Sequence, residues 1–451
     1  MTEEGSSGTE VPSEIQEPPL ATELAEDQTA APESDLDVIA VAPEVLADSL
    51  SDYLKAWGRR IKAGESGALP IVAGLIVIII FFQIERSRFD SAINLVNLLT
   101  QAAVYVLLGA AQLFALVLSE IDLSVGWMLA VGGFVIAELT APNVGFPWWL
   151  AILCGIGATG VLGFLQGTLI TRLNIPSFVV TLGGLLAFEG IAIELATVDK
   201  AAVGGVISIS TTGPIFKLVN NNISPGLSWL ILVVVLAIFA AVSLSRAARR
   251  RAQGLTAPPL SITLATIAVT AIGGIVLVYI CNLNRGLLIP LKGVPWVVPF
   301  VGLVLLAYTI LLGRTRLGRY MYAIGANPEA ARRAGINVQR IRRIAFVLTA
   351  VTAGIAGLVY LSFLGSISTD VDGGNYTLYA VAAAVIGGAS LFGGRGKPIH
   401  ALLGGLVIGI VFNGLALMGI SAAGQYIATA IVLVVAAAVD ALVRRRGATV
   451  V

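Results

Sequence analysis

The polar residues that could do chemistry in this chain are few, and most sit inside long apolar runs. SEIDLSVG at 119–126 places Glu120 and Asp122 at the end of one such run. An ionisable group at membrane depth is costly unless it faces water or a partner. Ser124 and Gly126 let the backbone break there. Other runs hold Asn94, Asn97, Gln101, Gln112, Glu138, Glu189, Glu194 and Asn413. Such groups either hydrogen-bond a neutral polyol in a water-filled pathway or bridge helices, at typically less than about 1–2 kcal/mol each. The carboxylates Glu138, Glu189 and Glu194 leave room for a proton or sodium site. Catalysis has no foothold: there is no GxxxxGK[ST] phosphate loop, no metal-spaced His/Cys set and no nucleophile elbow. Neither catalytic residues nor a directly bound cofactor or metal is expected.

A second kind of candidate is mechanical. RTRLGRYMYAIGANPEAARRAGINVQRIRR, from Arg314 to Arg343, is the longest polar interval between two apolar runs. Asn327 is a good N-cap, Pro328 suits the first helical position, and Glu329 puts negative charge on the first turn. Ala330 and Ala331 propagate the helix, and Arg332 and Arg333 place positive charge in its last turn. Gly335 ends it in the left-handed conformation. The outcome is a short self-capped helix outside the membrane, a rigid knob suited to pushing or being pushed. From capping alone, an ordinary basic cytoplasmic loop fits as well.

The elements that position these residues are spans. The chain of 451 residues is 57% hydrophobic and 12% charged, with mean hydropathy +0.91. Soluble domains carry about 25% charged residues, so this is a polytopic membrane protein. Abundant glycine suits close helix contacts in lipid. Cys154 and Cys281 lie in or at the end of apolar runs and read as packing residues, and His400 reads as a solvated or capping residue. Spans of about 20 apolar residues are placed near 69–84, 94–118, 125–141, 147–170, 177–197, 227–245, 261–281, 295–313, 344–363, 376–391, 400–418 and 423–442. With the N-terminus inside, the inner loops are 119–124, 172–176, 246–256, 314–343, 394–398 and 443–451, and most of them are basic, as the positive-inside rule requires. Charge alone leaves open a re-entrant segment at 376–391. All 13 ionisable side chains of residues 1–50 are acidic, and that stretch reads as a disordered cytoplasmic tail. An interfacial segment at 51–68, the membrane domain at 69–443 and a basic cytoplasmic end at 444–451 complete the division. VLSEIDLSVG at 117–126 faintly echoes VIGGASLFGG at 385–394.

AIGANPEAARRAGINVQRIRR resembles the coupling-helix loop of sugar-type ABC importer permeases, the family of ribose and xylose permeases. IDLSVG at 121–126 resembles that family's GGIDLSVG signature, with Ser119 and Glu120 in place of two glycines. GFLQGTLITRLNIPSFVVTLGG at 163–184 is similar to a further family pattern, with Gln166 in place of Asn; Pro176 biases Ile175 towards an extended turn. GGNYTLYAVAAAVIGGASLFGGRGKP at 373–398 is a further match, with Thr377-Leu378-Tyr379 where the family has Glu-Leu-Asp. The stretch from about 198 to 295 looks like the extra pair of spans of xylose-type permeases.

The resemblance covers most of 85–443. It implies an all-α bundle of about twelve transmembrane helices of the type II importer kind. It further implies a subunit that moves a monosaccharide, D-xylose or another pentose, across a bacterial plasma membrane with both termini cytoplasmic. Asn327, Pro328, Glu329, Ala330, Ala331, Arg332 and Gly335 would dock on a separate ATP-binding subunit, which would hold ATP and Mg. Asp122, Ser124, Gly126, Gln166, Pro176 and Thr181 are the motif candidates for translocation, with Asn94, Gln112 and Asn413 from the spans. An extracytoplasmic sugar-binding protein, a second copy of the chain and membrane lipid are the expected partners; nucleic acid is not. An ion-coupled sugar transporter working without an ATPase is the alternative.

Overall fold

The computed structural model describes residues 69–198, 204–255, 259–286, 289–431 and 434. The expected tail at 1–50, the interfacial segment at 51–68 and the basic end at 444–451 lie outside them. The first elements are α1 (Leu69–Glu85), α2 (Ala92–Val117), α3 (Val125–Thr140), α4 (Trp148–Leu173) and α5 (Ser177–Val198). Then come β1 (Val206–Ser208), α6 (Pro214–Asn220), α7 (Pro225–Ala252), α8 (Leu260–Asn282) and α9 (Val297–Arg314). The rest is α10 (Arg316–Ala326), α11 (Pro328–Arg333), α12 (Val338–Leu364), β2 (Ser366–Ser368), α13 (Gly373–Ile386) and α14 (Pro398–Leu417). A further helical stretch follows at 422–431. Among the described helices, α2, α4, α5, α7, α8, α9, α12 and α14 have the length and hydropathy to cross a bilayer, whereas α1 and α3 are apolar but shorter. The protein is a polytopic helical bundle.

Local signals set the boundaries. Asn174 closes α4 in the left-handed region at φ +51°. Pro176 then forces the turn that lets α5 start at Ser177. Gly365 ends α12 at φ +73°, and Asp372 caps α13 by accepting from the Asn375 N–H. α2 is the axis of the bundle, buried along nearly its whole length and packed by α9, α12, α13 and α14. Small residues let these helices touch: a Cβ at Gly405 of α14 would fall 2.6 Å from the Val106 Cα of α2. α7 and α8 form a peripheral pair whose large apolar side chains, Val233, Ile238, Val269 and Ile272 among them, are exposed.

Contacts between helix ends sort into two sets. At one end, Arg86 donates to the Met418 carbonyl, β1 pairs antiparallel with β2 through Ile207 and Ile367, and Asn222 bridges to Pro295. At the other, the Gly394 N–H donates to the Val117 carbonyl, and the Tyr322 hydroxyl donates to the Gly396 carbonyl. Successive long helices alternate between the two ends. α13, 14 residues long, begins beside β2 and against the start of α3, and leads into the 387–397 loop.

The structure corrects one expectation. Segment 119–124, expected as an inner loop, is mostly drawn inside: Ser119 stays exposed, but Glu120, Asp122 and Ser124 are buried, and the backbone turns back into the bundle before α3 begins. Irregular backbone is tolerated at that depth because protein groups satisfy it. The Glu120 N–H donates to the Ala115 carbonyl at 3.0 Å. The Gln112 amide, oriented to satisfy both, donates to the Asp122 carbonyl at 3.1 Å and accepts from the Asp122 N–H at 3.2 Å.

Candidate functional site

The knob forms as its residue types dictate. The Asn327 side chain accepts from the Ala330 N–H at 3.0 Å, and Pro328 opens α11. Gly335 sits at φ +80°, and the Ile336 N–H closes on the Ala331 carbonyl at 3.1 Å. The Glu329–Arg332 pair at 2.8 Å is solvent-facing on both sides and adds little stability. Pro328, Glu329, Ala330, Arg332 and Arg333 are exposed, whereas Ala331 is buried. One face of the peg is thus seated and the other is free.

The seat is a glycine-lined junction. α10, capped by the Thr315 side chain, turns Met321 and Ile324 into the apolar cluster that also holds Ala331, Val117, Val338 and Ala389. At the end of α10, a Cβ on Gly325 would fall 1.8 Å from the Val117 carbonyl oxygen. Ser119, at φ +64°, donates to the Phe392 carbonyl at 2.8 Å. Glu120 pairs with Arg342 on the first turns of α12, with Glu120 largely buried and Arg342 a third exposed. The two echoing stretches, 117–126 and 385–394, therefore lie side by side at the seat.

From this seat the chain enters a buried polar node. One Asp122 oxygen accepts from the Ser124 N–H at 2.9 Å and from the Ser124 hydroxyl at 2.6 Å; the other is buried without a partner. The Gln166 amide of α4 donates to Ser124 at 2.9 Å, and Thr181 of α5 donates to the Ile121 carbonyl at 3.3 Å. The Gly126 N–H donates to the Thr377 hydroxyl at 2.9 Å. A Cβ at Gly126 would fall 1.9 Å from the Gly373 carbonyl oxygen, so the starts of α3 and α13 are in backbone contact. Asp122, Ser124, Gly126, Gln166, Thr181 and Gln112 thus meet at one node joining α2, α3, α4, α5 and α13. Pro176 lies at the α4–α5 turn, apart from it. Asn94 and Asn413 bond each other at 2.9 Å near the opposite end and tie α2 to α14.

Two features of the seat were missed from sequence, one of which carried a usable signal. The amphipathic helix α10 was legible from Thr315 followed by Leu317, Met321 and Ile324 at helical spacing. The Glu120–Arg342 pair had no local signal.

A family model described as branched-chain amino acid transport system / permease component matches residues 94–437. The chain belongs to this family of transport-system permeases. It is 34% identical over 377 residues to the xylose transport system permease protein of Escherichia coli (strain K12), covering 83% of this chain and 92% of that protein. It is 28% identical to the ribose import permease protein of the same strain, covering 86% of this chain and 95% of that protein. It is also 28% identical to the fructose import permease protein of Rhizobium meliloti, covering 84% and 86%. No solved structure matches. The chain is thus a multi-pass membrane transport subunit of the sugar ABC permease kind and not an enzyme, and membership implies an ATP-binding subunit and a substrate-binding protein.

Proposed function

We propose that the chain is the permease subunit of an ATP-binding-cassette importer that moves D-xylose or another pentose inward across a bacterial plasma membrane. The observation that carries this reading is the knob: a capped helix with one exposed face, seated directly on the end of the axial helix α2. Asn327, Pro328, Glu329, Ala330, Arg332 and Gly335 present the docking face to the ATP-binding subunit, and Ala331 anchors it. Motion of the knob passes through Gly325 and Ser119 to the 118–124 break, and through Glu120 to α12. The node of Gln112, Asp122, Ser124, Gly126, Gln166 and Thr181 is the hinge of that motion. Asn94 and Asn413 hold α2 and α14 together as one body.

The knob end carries Arg172, Arg249, Arg250, Arg251 and Arg395 besides its own arginines, which supports a cytoplasmic knob and cytoplasmic termini. The exposed apolar faces of α7 and α8 suit lipid, and a second copy of the chain completes the translocation path. ATP and Mg belong to the partner subunit. A second reading, an ion-coupled transporter, draws on the unpartnered Asp122 oxygen. Liposome uptake decides between them: the importer takes up labelled D-xylose with ATP inside, the ATP-binding subunit and the binding protein present. Uptake by the chain alone, driven by a proton gradient, supports the alternative instead.

A further inference from the structure

The knob shares its seat with the 387–397 loop between α13 and α14. That loop lies against the residues just before α11. A Cβ at Gly394 would fall 3.3 Å from the Ala326 Cα, and one at Gly325 would fall 2.6 Å from the Gly394 nitrogen. Ala389 is buried in the apolar cluster that holds Ala331, and Leu391 packs against the same cluster. Phe392, the next residue, turns outward. It is 72% exposed, more than any other aromatic side chain among the described residues.

A single exposed phenylalanine needs no explanation; one held rigidly in place does. The Phe392 N–H donates to the Ser390 hydroxyl at 3.1 Å, and its carbonyl accepts from the Ser119 hydroxyl at 2.8 Å. The Ser390 N–H closes the loop on the Arg395 carbonyl at 3.0 Å, and the Gly394 N–H ties it to the Val117 carbonyl of α2 at 3.0 Å. Gly393, at φ +80°, has no room for a Cβ, which would fall 2.9 Å from the Gly325 carbonyl oxygen. The ring is therefore presented on a fixed backbone. An apolar group fixed in advance loses little entropy on binding, and aromatic anchors inside a polar rim dominate the affinity of interfaces. Polar groups are at hand: Arg395 and Lys397 are exposed beyond Phe392, and Glu329 and Arg332 are exposed on the knob. An apolar ring among these charges, joined to the knob through Ala326, fits the knob's own protein partner better than acyl chains.

We propose that Phe392 is a second docking point for the ATP-binding subunit, its ring entering an apolar pocket beside the groove that takes α11. This contact rests on the importer reading and lies outside the knob. α11 alone delivers a push to the end of α2. With Phe392 engaged, the same stroke also reaches the loop that joins α13 to α14.

The test uses the full chain in lipid nanodiscs, carrying Phe392→Cys with Cys154→Ser, and a water-soluble maleimide as the probe; Cys281 is fully buried. The chain alone is expected to label readily, and the purified ATP-binding subunit of its system to slow labelling at least about tenfold. In a direct binding measurement, Phe392→Ala is expected to raise the Kd for that subunit at least about tenfold, as loss of an aromatic anchor does, with no change in thermal midpoint. No labelling of the chain alone puts the ring in lipid and overturns the second contact. Labelling that the subunit does not slow, or an unchanged Kd in Phe392→Ala, overturns it as well. A fall in thermal midpoint makes the ring a packing residue and has the same force. Failure of the wild-type chain to bind the ATP-binding subunit at all overturns the importer reading instead.

Discussion

The two ends of this bundle are built on opposite principles. At the knob end, backbone lies against backbone: Gly325 meets the Val117 carbonyl, and Ser119 and Glu120 are bonded to neighbouring elements. At the far end, hydrogen-bonded turns do the holding: β1 pairs with β2, Asn222 bridges to Pro295, and the buried Arg285 is gripped by Asn222 and the Gly293 carbonyl. A glycine-packed junction of backbone on backbone transmits displacement because it has no slack. A cap held by turns and side-chain hydrogen bonds opens more readily than packed backbone. The difference teaches which end takes the stroke and which end is built to give.

The strongest way to break this contrast is to fill the knob-side junction. Gly325→Leu drives a side chain into the Val117 carbonyl, and overpacking of this kind costs about 1–3 kcal/mol or more. A large fall in thermal midpoint by size-exclusion profiling, with loss of uptake, is expected. A midpoint equal to that of wild type shows that the junction has slack. Gly293→Ala applies the same logic to the other end: the positive φ and the missing space together cost about 1–3 kcal/mol. Here the expected result is a fall in thermal midpoint smaller than that of Gly325→Leu. An equal or larger fall makes the cap as tightly packed as the knob-side junction.

The Glu120–Arg342 pair sharpens the comparison at an intermediate scale. Removing one partner strands the other, so Glu120→Gln and Arg342→Met should each destabilise by about 1–2 kcal/mol, discounted for the partly exposed arginine. The double variant should cost less than the sum, as a double-mutant cycle by chemical denaturation reads out. Additive losses dissolve the claimed tie between the break and α12. The smallest effect belongs to Glu329→Ala, because an exposed pair contributes about 0.3–0.5 kcal/mol. Its thermal midpoint should scarcely move, so any loss of uptake there reports docking and not folding.

What the sequence disclosed was local. The knob's Asn327–Pro328 start and Gly335 end, and the α4–α5 turn at Pro176, depend on neighbours a few residues away. The apolar runs likewise located the long helices. What stayed hidden depends on long-range pairing. Segment 118–124 looked like a loop because its burial comes from Gln112, Gln166 and Thr181 on other helices. Arg342 finds Glu120 from 222 positions away. Arg285 read only as a base in an outer loop until Asn222 and Gly293 were seen to hold it. Asn94 and Asn413 carried the polarity of pathway residues, and the fold joins them to each other.

The central claim is that the free face of α11 receives the motion generated by the ATP-binding subunit. The direct measurement is uptake per ATP hydrolysed in liposomes holding the assembled transporter, comparing wild type with Glu329→Ala plus Gly335→Ala. The account predicts that hydrolysis continues while uptake falls at least about tenfold, a coupling loss within the usual 1–3 kcal/mol range. Undiminished uptake per ATP in that variant contradicts it.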